Sequence, residues 1–290
     1  MAVYKQTYKS YDGPLTDEKW RFWVLARYAF QQVFVSRLFL VYFVLCFVPM
    51  LVGGFFIYLH HNLDVLVAFQ IPVDELLAVD ADFFAVLMGV ESTLAFFMAA
   101  VVGPGLVSPD LTNGAMPLYL SRPFTRTEYT LGKFAVLAVL LSLITWIPGM
   151  LLFLMQTSLE GAGWMFANLR IAMAIFVGAG VWITTISLLA LALSAWVKWR
   201  PVAAGMLFGV FFVAAGFGGA FNGILRTDWG MMMMLPVAMN AVWRCLFLGV
   251  PPPLREYPLP MWSAWLSLAI FCGISVYLLA RKVRAYEVVR

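Results

Sequence analysis

Residues 106–133 read LVSPDLTNGAMPLYLSRPFTRTEYTLGK, a polar interval between two long apolar runs. The interval gathers Asp110, Arg122, Arg126, Glu128 and Lys133 in a chain where only 12% of residues are charged and 63% are hydrophobic. Soluble domains run nearer half apolar and a quarter charged. A chain this apolar cannot hide its surface inside one water-soluble core. Its repeated runs of about 20 apolar residues, each the length of a bilayer crossing, predict a polytopic, all-α membrane protein.

Working outward from the interval gives six spans. Upstream, Phe83–Val102 predicts span 2, ending at the helix-breaking Gly103-Pro104-Gly105, and Leu38–Leu59 predicts span 1, with Pro49 and Gly53-Gly54 as bending points. The loop between them carries Asp64, Asp74, Glu75, Asp80 and Asp82 and no Lys or Arg. Downstream, Thr125-Arg126-Thr127-Glu128 matches the S/T-x-x-E capping box and predicts a helix start. Span 3 then enters the hydrocarbon near Phe134 and leaves near Met155, with Pro148 as a kink. Spans 4, 5 and 6 are expected over 171–197, 202–221 and 261–280, with Gly205-x-x-x-Gly209 permitting close helix approach in span 5.

Two segments fall outside the spans. Thr16-Asp17 is a cap signal ahead of a helix placing Phe22, Trp23, Ala26, Ala29, Phe30, Val33 and Phe34 on one face. That pattern suits an amphipathic helix lying in the membrane interface; a water-exposed extension of span 1 is the plainer alternative. The run Met231–Val250 is apolar, but it holds Pro236, Asn240 and Arg244 and precedes Pro251-Pro252-Pro253. It reads as external helical structure, lying in the interface or re-entrant, within an external segment 222–260. The organisation is therefore a tail and interfacial helix (1–37), a six-helix domain (38–281) and a short tail (282–290). With both ends cytoplasmic, 15 of the 19 Lys and Arg fall inside, as the positive-inside rule requires; a seventh span would put the basic C-terminus outside. The polar N-terminus does not read as a cleaved signal peptide.

Few residues suggest chemistry. Glu91 lies within span 2, where an ionisable side chain is costly and usually faces a cavity or a partner. It reads either as a translocation-path or proton site or as a structural hydrogen-bonding group. His60-His61 have no ligand spacing for zinc or haem. Met231–Met234, on a helix, would point in four directions and suit adaptable packing. Cys46, Cys245 and Cys272 show no CxxC spacing and read as small packing residues. No P-loop and no GxSxG occur, so neither ATP binding by a Walker motif nor hydrolase chemistry is expected of this chain. No dense basic run with interleaved aromatics suggests nucleic acid. No catalytic or metal site is assigned; an intramembrane enzyme built on Glu91 would lack a second acid, a His or a metal set.

The interval resembles the permease subunits of ABC-2-type ABC transporters. In that family a segment between spans 2 and 3 carries an acidic residue, a glycine, leucines and then sRP-x-sR-x-x-Y-x-x-GK. The matching positions are Asp110, Gly114, Leu118, Leu120, Ser121, Arg122, Pro123, Arg126, Tyr129, Gly132 and Lys133, with Thr125 where Ser is common. The resemblance implies a membrane subunit of an exporter that is itself no enzyme, in a bacterial plasma membrane. Its partners would be a second permease chain, identical or not, and separate ATP-binding subunits that hold ATP and magnesium. Asp110, Gly114, Arg122, Pro123, Arg126, Tyr129, Gly132 and Lys133 would form the coupling element. Arg122 and Arg126 would face acidic partner residues or, alternatively, lipid headgroups. A non-transporting anchor that recruits an ATPase would carry the same motif.

Overall fold

The computed structural model describes residues 20–62, 78–115, 125–197 and 199–283. Within them the chain is helical, without strands. Six segments are long and apolar enough to cross a membrane: Arg37–His60, Ala81–Thr112, Arg126–Glu160, Leu169–Trp196, Arg200–Leu225 and Met261–Lys282. This is the layout of a multi-pass membrane protein. The Thr16-Asp17 cap, Asp64, Asp74, Glu75, Lys198 and residues 284–290 lie outside the described residues.

Helix α1 covers Arg21–Phe34. Leu25, Ala26 and Ala29 are its positions buried within the protein, while Trp23 and Phe34 are exposed. Span 1 is α2 (Arg37–Leu45) followed by α3 (Val48–His60). The interruption at Cys46-Phe47 precedes Pro49 because proline fits the first turn of a new helix, where its missing N–H is no loss. Gly53 is then a packing position, with the Leu152 side chain 3.0 Å from where its Cβ would stand.

Span 2 is α4 (Ala81–Val102), capped by Asp80, which accepts from the Asp82 and Phe83 amides at 3.0 and 3.2 Å. The break expected at Gly103–Gly105 is mild: α5 (Pro104–Thr112) begins at once. Residues 106–112, read from sequence as a polar interval, therefore extend the span as helix. Pro104 occupies the first turn, and Gly103 keeps helical angles. Its glycine serves contact, because a Cβ there would meet the Ala99 carbonyl at 2.6 Å and the Ala190 Cβ at 2.8 Å.

Span 3 is α6 (Arg126–Ile144) and α7 (Trp146–Glu160), broken at Thr145 just ahead of Pro148. A short α8 (Ala162–Ala167) leads to α9 (Leu169–Trp196), span 4, around which the bundle is built. The first and fifth spans are the least buried, the fourth the most. Lipid tails are as apolar as leucine, so packing and interhelical hydrogen bonds must hold the helices together. Helix α9 supplies both. Its small buried residues Ala174, Gly178, Ala179, Ala190 and Ala195 admit neighbours closely. The indole N–H of its Trp182 donates to the Ser92 carbonyl at 3.0 Å, and that of Trp243 donates to its Gly178 carbonyl at 3.2 Å.

Span 5 is α10 (Arg200–Leu225). Nothing lies within 4 Å of a Cβ at Gly205 or Gly209, so the GxxxG pair brings no helix close within this chain. The close approach occurs instead at Gly218, against the backbone of Gly230. Met231–Met233 belong to a 3₁₀ turn, Trp229–Met233, rather than to an α-helix. Helix α11 (Leu235–Leu248) follows. At 14 residues it is about 21 Å long, too short to cross about 30 Å of hydrocarbon. Its end is fixed by Gly249 at φ +69, over which the Arg170 guanidinium packs while donating to the Phe247 carbonyl. Span 6 is α12 (Met261–Lys282).

Candidate functional site

Of the residues singled out between spans 2 and 3, Asp110, Tyr129, Gly132 and Lys133 meet at one junction. Helix α5 starts against span 4. Ser194 of α9, fully buried, ties the two together: its Oγ accepts from the Val107 and Ser108 amides at 3.3 and 3.0 Å and donates to the Pro104 carbonyl at 3.0 Å. A side chain from another span thus holds the first turns of α5.

The other end of α5 closes on Gly114, at φ +64. The Ala115 amide donates to the Asp110 carbonyl at 2.8 Å and the Gly114 amide to Leu111 at 3.4 Å. This is the Schellman arrangement, which requires a left-handed residue just past the helix and so favours glycine.

Asp110 reaches across to α6. Its Oδ2 lies 2.8 Å from Lys133 Nζ and accepts a hydrogen bond from the Tyr129 hydroxyl at 2.7 Å. The Lys133 ammonium also sits 5.5 Å from the centroid of the Tyr129 ring. Tyr129 and Lys133 are i and i+4 on α6, hence on one face. The side chains of Lys133 and Asp110 retain only 9% and 17% of their exposure, so water screens this pair far less than a surface ion pair. Tyr129 packs with Leu25 of α1, Leu111 of α5 and Val283 just past α12.

Gly132, one turn from Tyr129, lies against α1. A Cβ there would stand 2.8 Å from the Phe22 carbonyl and 3.1 Å from the Leu25 Cβ, so glycine is what lets α1 lie against α6. The start of α6 is fixed by the capping box read from sequence: the Glu128 amide donates to Thr125 Oγ1 at 3.2 Å, and the Thr125 amide donates to Glu128 Oε2 at 2.6 Å. The structure therefore brings together Asp110, Gly114, Tyr129, Gly132 and Lys133. Arg126 stands apart, exposed at the first turn of α6. Arg122 and Pro123 lie outside the described residues.

Sequence reasoning missed Ser194. Its only signal was a hydroxyl in the apolar run Leu188–Trp196. Leu25, Leu111 and Val283 were also missed, because their contact joins three distant parts of the chain.

Glu91 sits elsewhere, 1% exposed inside span 2, with neither carboxyl oxygen in a hydrogen bond. Its Oε2 lies 3.8 Å from where a Gly149 Cβ would be. Gly149 belongs to the first turn of α7, whose start the break at Thr145 creates inside the span. The carboxyl thus lies beside the first turn of α7. At the opposite end of the bundle His61 contacts Glu160 at 3.3 Å through Nε2 and Ile57 O at 3.0 Å through Nδ1.

No family model matches this chain, and no curated protein matches it by sequence.

Proposed function

We propose that the chain is the membrane subunit of an ATP-driven transporter of the ABC-2 type, an exporter in the bacterial plasma membrane. It works as a pair of permease chains, identical or not, with ATP and magnesium held by separate ATP-binding subunits. The carrying observation is the junction: α5 is clamped at its start by Ser194 of span 4 and at its end by Lys133 and Tyr129 of span 3. A short helix so held cannot move alone. A displacement imposed on it is delivered to spans 2, 3 and 4 together, as rigid-body coupling requires.

In this reading residues 104–133 and both termini face the cytoplasm, in line with the placement of Lys and Arg. Helix α1 lies in the interface and moves with α6. Asp110, Gly114, Tyr129, Gly132 and Lys133 shape the coupling element, and Arg122 and Pro123 extend it toward the ATP-binding partner. Glu91, at the interior start of α7, lies on the translocation path.

The test is co-purification of the chain with an ATP-binding-cassette protein encoded beside it, followed by reconstitution in liposomes. The reading predicts ATPase activity that depends on the partner, and substrate movement that fails in Lys133→Met while complex formation persists. ATPase stimulation without any movement of substrate would instead indicate an anchor that recruits the ATPase. Catalysis by the isolated chain would contradict both.

A further inference from the structure

The bundle carries an apolar groove between spans 3, 4 and 6 that none of the foregoing uses. Helices α6 and α12 both pack on α9, and between them two chambers run along its surface. One, of about 490 Å³, begins at Arg126 and continues past Thr130, Leu188 and Leu279. The other, of about 690 Å³, continues to Gly180, Trp146 and Trp265. Phe134 and Thr184 line both, so the two adjoin. The floor is kept open by small residues of α9: nothing lies within 4 Å of a Cβ at Gly180. Two of its threonines spend their hydroxyl protons within their own helices: Thr184 and Thr130 donate to the Gly180 and Arg126 carbonyls at 2.8 and 3.0 Å.

From Arg126 to Trp146 the groove follows α6 for about 30 Å at 1.5 Å per residue, room for a headgroup and one acyl chain, which spans half of about 30 Å of hydrocarbon. Its mouth lies between Arg126 and Ala280 and Val283, at the end of span 6, where lipid headgroups begin. Arg126 is exposed there, with no ion-pair partner among the described residues. A guanidinium at the headgroup level above an apolar channel is complementary to one occupant: a phosphate over an acyl chain.

We propose that this groove is a binding site for an anionic glycerophospholipid, with its headgroup phosphate on Arg126 and one acyl chain lying between α6, α9 and α12 past Phe134. The site depends on membrane embedding and not on any ATP-driven activity. Arg126 serves it as the headgroup anchor, which explains why Arg126 takes no part in the Asp110–Tyr129–Lys133 contacts.

Native mass spectrometry of the full chain, loaded from mixed micelles of phosphatidylglycerol and phosphatidylethanolamine with identical acyl chains, tests this. The wild-type chain should retain phosphatidylglycerol over phosphatidylethanolamine by about fivefold, the preference one cation at a membrane surface confers. Arg126→Gln should abolish that preference while still retaining lipid. Gly180→Leu, which fills open space and favours helix, should lose retention of both lipids without lowering thermal stability. Equal retention of the two lipids by the wild type, a preference that survives Arg126→Gln, or unchanged retention in Gly180→Leu would each overturn the proposal. So would oxidative cross-linking of Cys272, which lines the deeper chamber, to Cys272 of a second copy in native membranes, since the groove would then be covered by protein.

Discussion

Lys133→Met removes the ammonium from the Asp110–Tyr129–Lys133 cluster and keeps most of its apolar bulk. The Lys133–Asp110 contact is 2.8 Å between side chains 9% and 17% exposed. Taking one partner out of a buried pair leaves the other charge uncompensated, which costs 3–5 kcal/mol. Asp110 keeps some water and the Tyr129 hydroxyl at 2.7 Å, which places the expected loss near about 3 kcal/mol. Tyr129→Phe removes only one hydrogen bond to a charged group and should cost about 1.5–3 kcal/mol. The two residues share one acceptor, so the double variant should depart from additivity by at least about 0.5 kcal/mol. Asp110→Leu combined with Lys133→Met removes both charges and should recover much of the loss. The assay is thermal unfolding of the purified chain in detergent, followed by tryptophan fluorescence for the single and double variants. A wild-type transition in Lys133→Met, or strict additivity with Tyr129→Phe, would refute the view that a desolvated cluster fastens α5 to α6.

The same structure sets further expectations. Ser194→Ala removes the hydroxyl that bonds the Val107 and Ser108 amides and the Pro104 carbonyl and should cost about 1–3 kcal/mol, with faster hydrogen exchange confined to the start of α5. Gly132→Val drives a side chain into the Phe22 carbonyl and should cost about 1–3 kcal/mol as overpacking, read as earlier proteolysis within α1 while the six-span domain stays intact. Glu91→Leu removes a buried carboxyl that has no hydrogen bond, so thermal stability should hold or rise while reconstituted transport is lost; a fall in stability would identify Glu91 as a structural group instead.

Much of the fold was legible because its signals are local. Each span is a run of apolar residues, and the capping box at Thr125–Glu128 needs only its own four residues to form. The short α11 was separable from a true span because Pro236, Arg244 and the prolines after it bound its length. Interruptions were harder to place. Prolines 49, 104 and 148 mark where a helix restarts, so each break falls one to three residues before the proline, at Cys46-Phe47, Gly103 and Thr145. Glycines were ambiguous for a related reason: a glycine permits approach but does not say by which helix, and within this chain Gly103 and Gly132 admit neighbours where Gly205 and Gly209 do not.

At the candidate site the sequence marked Asp110, Tyr129, Gly132 and Lys133 as a group, through spacing and resemblance. It could not say that they touch one another, nor that Arg126 turns away toward the groove. Ser194 was invisible because its value lies in the amides of a helix some ninety residues earlier. The face of α1 that packs on the protein, with Leu25 inside and Trp23 outside, was not read from the sequence. An interfacial pattern and a pattern made for docking on α6 use overlapping sets of aromatic and small residues.

The central claim is that the junction of α5 and α6 faces the compartment where ATP is hydrolysed. Single cysteines at Asn113→Cys and Thr127→Cys, both exposed positions, can be introduced into a chain with Cys46, Cys245 and Cys272 replaced. A membrane-impermeant maleimide is then offered to inside-out and right-side-out vesicles. The account predicts labelling of both positions in inside-out vesicles only, suppressed when the ATP-binding partner is present. Labelling in right-side-out vesicles would contradict it.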